Sequence, residues 1–172
     1  MSHSRITIRP AGLRDAAAIA VIRAATATSA HFEKTDVDKA EVDAATHAIE
    51  RCKDLLFVAD ADGEAIGYVA LRREGHAAVA ARDPLMLWQL YVRPRFHGAG
   101  VAAQLMRRAI EQAERGGHDT LWLGVTEHNE RAIAFYRKHG FVAQGLHEVG
   151  SDEHAHHDLI MLLRLPSTAN AG

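Results

Sequence analysis

Two glycines, Gly98 and Gly100, stand between an apolar run at residues 85–92 and an amphipathic stretch, Val101–Arg115. Glycine at such a junction lets the backbone bend sharply and lets a ligand approach it closely. The helix behind it offers unpaired N–H groups and the positive end of its dipole. Together these suit an anion such as a pyrophosphate. The local charge agrees: residues 93–115 carry five arginines against Glu111 and Glu114, an excess of +3 inside a chain of net charge -2. A tight strand-to-helix turn without a ligand requires the same glycines, so the segment by itself leaves both readings open.

Rival chemistries are weaker. Gly98, Gly100 and Ala103 also fit a G-x-G-x-x-A dinucleotide fingerprint. In that fold the first glycine follows its strand almost directly and opens the sheet; here residues 93–97 intervene and at least three strands precede. No Gly-Lys-Ser/Thr follows the turn, which removes a P-loop. His154, His156 and His157 lie near Asp152 and Asp158, but a two-strand turn seldom converges such ligands, and no metal is expected. The single cysteine, Cys52, lacks a helix start or a base and reads as an inert thiol.

The elements that must position these groups can be read from periodicity. Residues 5–9 alternate and end at Pro10, a short strand. Residues 13–27 form helix one, with Leu13, Ala16, Ala17, Ala20, Val21 and Ala24 at helical spacing. Residues 33–50 form a second helix with Val37, Ala40, Ala44 and Ala48 on one side. Strands at 55–59 and 65–71 flank Asp60, Asp62 and Gly63, a hairpin signal. Residues 74–84 are a loop. The run at 85–92 suits a strand buried on both faces, with Trp88 in the core, and Thr120–Thr126 is a second apolar strand carrying Trp122. The helix between them has Ala102, Leu105, Ala109 and Ala113 as its stripe and stops at Gly116 and Gly117. Asn129 can cap a fourth helix that ends in basic residues before Gly140. Residues 141–149 and 157–165 form a final antiparallel pair.

Length and composition frame the whole. The 172 residues are 48% hydrophobic and 24% charged, which fits one globular domain over residues 1–166 with a frayed tail at 167–172. One cysteine excludes an intrachain disulfide and a multi-cysteine zinc site. The slightly negative charge speaks against a nucleic-acid binder, and no apolar run reaches the ~18 residues of a membrane span. A soluble, cytoplasmic protein is expected.

With these motifs in view, the sequence resembles the GNAT superfamily of acyl-CoA-dependent N-acetyltransferases. Arg95, Gly98 and Gly100 match its R/Q-x-x-G-x-G/A turn. Asn129, Ala132, Phe135, Tyr136, Lys138, Gly140 and Phe141 match its N-x-x-A-x-x-F-Y-x-K-x-G-F segment at every position, and Ile8 through Ala11 with Asp15 resemble its opening. Residues 122–125, Glu127, Gly150 through Glu153 and Asp158 through Met161 are further similar to PaiA-type polyamine N-acetyltransferases, although the segment before the hairpin is shorter than in that family.

The resemblance implies an α/β fold. Its sheet would be mixed, mostly antiparallel, with six to seven strands and about four helices, and parallel strands 4 and 5 would splay around acetyl-CoA. The pantetheine would pair with Leu90, Tyr91 and Val92, and the pyrophosphate would rest on the amides of His97, Gly98, Ala99, Gly100, Val101 and Ala102, with Arg95, Asn129, Ala132, Phe135 and Tyr136 also lining the cofactor. A backbone N–H near Val92 would polarise the thioester carbonyl. Tyr136 matches the general acid, a phenol protonated at pH 7. Glu127 is the candidate base, while Gln89 stands where some members carry a glutamate and cannot act as one. The implied reaction is direct acetyl transfer to a primary amine, with a polyamine such as spermidine or spermine as acceptor. Two segments with a charge of -4 each, residues 28–50 and 141–158, would attract such a cation. A protein or peptide amine as acceptor, a silent acetyl-CoA sensor, and a homodimer all stay open.

Overall fold

The computed structural model describes residues 5–27, 37–52, 54–150 and 156–166. The described strands are β1 (Ile6–Pro10), β2 (Leu56–Ala61), β3 (Glu64–Arg72), β4 (Pro84–Val92), β5 (Thr120–Thr126), β6 (Val142–Val149) and β7 (His156–Arg164). The helices are α1 (Ala16–Ala27), α2 (Lys39–Arg51), α3 (Val101–Arg115) and α4 (Glu130–Lys138). The strands form a seven-stranded sheet of order β1-β2-β3-β4-β5-β7-β6. Strands β4 and β5 are parallel, and the β1–β2, β2–β3, β5–β7 and β6–β7 pairs are antiparallel. This is the mixed α/β architecture expected from the motifs. Two compact units emerge: the described residues of Met1–Leu71 with Gln89–Ala109, and those of Arg72–Trp88 with Ile110–Gly172.

In the first unit the β2–β3 hairpin is closed by Asp62 and Gly63, both at positive φ (53° and 91°). That is the backbone twist a two-residue hairpin demands. Asp60 Oδ1 accepts from Gly63 N–H at 2.7 Å and fixes the turn. Its other oxygen receives Arg9, which also makes two 2.8 Å bonds to Asp15. One guanidinium therefore ties β1 to the hairpin and to the entry of α1. Asp15 also accepts Gly12 N–H, at 2.8 Å, and residues 13–15 wind as a 3₁₀ turn rather than as the first turn of α1. Leu13, expected on the buried stripe, is consequently 61% exposed. Helix α2 is capped by Asp38, whose carboxylate accepts Glu41 N–H, and it buries Ala45 and Ile49. The expected stripe of Ala40 and Ala44 faces water instead, because the larger Ile49 gains more by burial than two methyl groups. Residues 33–36 of that expected helix lie outside the described residues.

In the second unit, β5 pairs with β7 over seven registers, Thr120↔Arg164 to Thr126↔Asp158. Leu121, Trp122, Leu123, Ile160, Met161 and Leu162 are buried there. The parallel β4–β5 ladder joins only Pro84, Leu85 and Met86 to Thr120, Leu121 and Trp122. Residues 73–83 carry no strand or helix, but Val79 packs on Trp122, Ile160 and Leu162. Burial of β4 on both faces does not hold: Leu85, Leu87 and Val92 are buried, while the residues between are half-buried. Trp88 is half-buried, with the Arg72 guanidinium 3.1 Å above its ring centre, so its face is covered by a cation rather than by core.

Candidate active site

The first unit holds the end of β4, the glycine bend and the start of α3. Strand β3 comes unusually close here. A methyl group at Gly67 would stand 2.9 Å from the Tyr91 carbonyl oxygen and 3.1 Å from Val92 Cγ2. Beyond Val92 the peptide is pinned at both ends. Arg93 N–H donates to Ile66 O at 2.9 Å, and Val92 O lies 2.8 Å from His97 Nε2. The His97 ring is thereby turned toward the strand.

The bend follows as a 3₁₀ turn over Pro94–Phe96. Proline at its first position presets φ and lacks an N–H that would be left without a partner. His97 N–H donates to Pro94 O and Ala99 N–H to Phe96 O. These two expected phosphate donors are thus engaged within the turn. Gly98 and Gly100 hold φ of +82° and +76°. A methyl group on either would meet nothing within 4 Å. Conformation, not crowding, selects glycine there, and the surface in front of the bend is open. Gly100 O receives Gln104 N–H as the first bond of α3, at 3.1 Å, so Val101, Ala102 and Ala103 begin the helix with N–H groups that have no intrahelical partner. Such an arrangement can take a diphosphate: the first N–H groups of the helix lack intrahelical partners, and its dipole is positive at that end.

Arg95, a candidate cofactor residue, lays its guanidinium 3.1 and 3.2 Å from the two oxygens of Glu64, which also binds Arg93. Local spacing gave no hint of this clamp, since 31 residues separate the partners. At the end of β4, Gln89 Oε1 accepts the Tyr68 hydroxyl at 3.0 Å, and the Tyr68 and Tyr91 rings meet edge to face at 5.7 Å. Burial drives the Tyr68 phenol well above its ordinary pKa, so it remains a donor. Leu90 and Tyr91 are half-buried and Val92 is buried.

The second unit holds the end of β5 and α4. Asn129 Oδ1 accepts Ala132 N–H at 3.1 Å, and Asn129 O begins the helix by accepting Ile133 N–H. The predicted cap is realised; its side-chain carbonyl is engaged and its NH₂ remains for another partner. Tyr136 is half-buried, its ring 5.6 Å from Phe135 and 5.8 Å from the buried Phe141. The chain folds back there because Tyr136 O accepts both His139 and Phe141 N–H. Glu127 Oε1 lies 3.5 Å from His157 Nδ1 and 3.7 Å from His128 Nε2. His154 falls outside the described residues, among which no metal-holding group of His, Cys, Asp and Glu is found. No helix of the described residues is long and apolar enough to cross a membrane.

Comparison with known proteins now bears on this geometry. Residues 21–141 match the family model described as Acetyltransferase (GNAT) family. An uncharacterized N-acetyltransferase of Mycobacterium tuberculosis strain H37Rv is 34% identical over 110 residues, 64% of this chain and 67% of the relative. The streptothricin acetyltransferase of Streptomyces lavendulae is 34% identical over 114 residues, 64% of this chain and 58% of that protein. The structure of yncA from Salmonella typhimurium with its cofactor acetyl-CoA superposes with a TM-score of 0.75 at 25% identity, covering 98% of this chain and 99% of that one.

Proposed function

From the premise that this chain belongs to the GNAT acetyltransferase family, and is therefore an acetyl-CoA-dependent N-acetyltransferase, we propose that it acetylates a primary amine by direct transfer, with a polyamine such as spermidine or spermine as the leading acceptor. The observation that carries the reading is the bend at Gly98 and Gly100, both at positive φ, with open space before them and free helix-start amides behind. In this proposal Gly98, Gly100, Val101 and Ala102 donate to the diphosphate, and Leu90, Tyr91 and Val92 present backbone to the pantetheine. Val92 N–H faces the thioester carbonyl, held by the peptide that His97 and Ile66 pin. Acetyl-CoA supplies the acyl group as an activated thioester.

An amine of lysine-like pKa ~10.4 is almost wholly protonated at pH 7, and freeing it costs ~4–5 kcal/mol. The chain must therefore take a proton from nitrogen and return one to sulfur. Tyr136 is assigned the second task, as a phenol protonated at pH 7, supported by its place in the matched Asn129-to-Phe141 segment. Polyamine preference is supported by the negative charge of residues 28–50 and 141–158. The same proposal places the protein in the cytoplasm, as one domain over residues 1–166. It allows a homodimer, supported by the exposed edge strand β6 with Val142 and Leu146 each 58% exposed.

A protein amine is the second reading. It is favoured by the likeness, at TM-score 0.70 and 25% identity over 92% of this chain and 99% of the other, to the ribosomal-protein-alanine N-acetyltransferase of Brucella melitensis. A thiol-release assay with acetyl-CoA and a panel of amines decides. Release with spermidine or spermine supports the polyamine reading. Release with peptides alone supports the second, and cofactor binding without turnover makes the protein a sensor.

A further inference from the structure

Residues 73–83 carry no strand or helix, so individual contacts must hold them on the sheet, and one of these contacts depends on a proton. We infer that residues 74–79 form an acid-released latch on the β5–β7 pair: the neutral imidazole of His76 seats them, and its protonation unseats them. Every residue involved belongs to the second unit.

The turn around His76 fixes its protonation state. His76 Nδ1 receives the backbone N–H of Ala78 at 3.0 Å, and His76 O receives that of Val79 at 2.8 Å. A ring nitrogen that accepts a hydrogen bond carries no proton, so this geometry belongs to the neutral tautomer with its hydrogen on Nε2. An imidazolium has two donors and no acceptor. Protonation therefore sets two donors against each other, and Ala78 N–H loses its acceptor.

What the turn seats is apolar. Val79 is buried and packs on Trp122, Ile160 and Leu162. Glu74 O takes the Trp122 indole N–H at 2.7 Å, and the His76 ring is tilted against the indole with centroids 5.2 Å apart. His76 thus stands between the two ties of the segment to the sheet, the Glu74 bond and the Val79 plug. The far end is held differently. Arg164 donates to Ala80 O at 2.8 Å, and Arg82 N–H donates to the Asp119 carboxylate at 2.9 Å. Neither a guanidinium nor a carboxylate titrates in the ordinary imidazole range. Acid accordingly frees residues 74–79 and leaves residues 80–83 attached.

The surroundings oppose a charge on the ring. Partial burial, and then His147 of β6, whose ring meets it edge on at 4.4 Å, hold the His76 pKa below its ordinary value; Glu74 opposes them without cancelling them. Glu74 itself has Arg72 4.0 Å away. On β7 the same face carries Asp158, the register partner of His147, and His156, 3.5 Å from that carboxylate. On β5 it carries Trp122, Gly124 and Thr126, none of them titratable. A base whose pKa is lower in the seated state than in the released one favours seating fully above the ordinary imidazole value of ~6.5. That contribution is lost as pH falls from there through the lowered value.

The test is amide hydrogen exchange at Ala78 and Val79, read by NMR on the full chain from about pH 8 to 5, as the ratio of wild type to H76N. Asparagine at this position can take Ala78 N–H on its side-chain oxygen, as Asx turns do, and it does not titrate. The ratio cancels the intrinsic pH dependence of exchange. It should be constant above the imidazole range and rise about two- to tenfold as pH falls through it, the worth of one hydrogen bond. Leu123 and Met161, register partners in the buried sheet, should show no rise. A flat ratio, or a rise that Leu123 and Met161 share, overturns the latch. If H76N does not fold, the wild-type His76 ring is titrated by NMR. A midpoint below ~6.5, with the Ala78 amide resonance moving in step, supports the latch; an Ala78 resonance indifferent to that titration overturns it.

Discussion

Arg95 reaches both carboxylate oxygens of Glu64, at 3.1 and 3.2 Å, from the turn that leads into α3. The pair is half-exposed, so its own worth is about 0–1 kcal/mol. Its larger effect is on charge: Glu64 masks Arg93 and Arg95 beside the proposed diphosphate cradle. Glu64→Gln should tighten coenzyme A binding by about two- to fivefold at low salt, and the gain should shrink at high salt as screening grows. Calorimetric titration at two ionic strengths reads both.

Tyr136→Phe removes the hydroxyl and keeps the ring against Phe135 and Phe141. If Tyr136 is the acid, kcat falls about 100-fold with acetyl-CoA affinity within about twofold. Unchanged turnover, with chemistry rate-limiting, would remove it from that role.

Arg9 binds two carboxylates while only 22% of its side chain is exposed and only 5% of that of Asp15. Breaking such a pair strands a buried charge, so Arg9→Met should destabilise by about 2–4 kcal/mol, or about 5–15 °C in Tm. Burial tends to raise the Asp15 pKa, but hydrogen bonds from Arg9 and Gly12 outweigh it and hold the group below its usual range. For Asp60 the Arg9 bond is the largest cause of the same lowering. Both groups therefore add stability that is complete above the ordinary carboxylate pKa and is lost as pH falls through the lowered values. Arg9→Met should flatten the acid limb of Tm against pH.

Two kinds of glycine should respond differently to alanine. At Gly67 the methyl would meet the Tyr91 carbonyl at 2.9 Å, a backbone atom that cannot yield. Gly67→Ala should cost about 3 kcal/mol, beyond simple overpacking, and disturb β4. At Gly98 nothing crowds the methyl, and only the φ of +82° resists. Gly98→Ala should cost about 1 kcal/mol in stability while weakening coenzyme A binding at least tenfold. Thermal melts and calorimetry on the two variants separate packing from the bend.

What could be read from sequence follows from how local its causes are. Val101–Arg115 and Thr120–Thr126 matched to the residue, since an apolar stripe, two terminal glycines and an unbroken apolar run carry their own boundaries. Asn129 was legible as a cap for the same reason. Helical spacing puts Leu13 on the buried stripe, but its exposure depends on Asp15 bonding to Arg9 and Gly12, an arrangement that spacing does not encode. On α2, alanines at good helical spacing lose the buried face to Ile49. In the candidate site, the glycine bend and Tyr136 have motifs, whereas the Glu64 clamp depends on a strand and a turn that meet only after folding. No window of sequence contains both partners.

Trp122 donates its indole N–H to Glu74 O at 2.7 Å and has the His76 ring tilted against it, centroids 5.2 Å apart. That single bond makes the ring an optical gauge of residues 73–83. When the segment lifts away, the indole loses its acceptor and its imidazole neighbour together and meets water, so its emission moves to longer wavelength. The chain has only one other tryptophan, Trp88, and replacing it by phenylalanine leaves a label-free reporter. Any loosening of residues 73–83 can then be followed in real time.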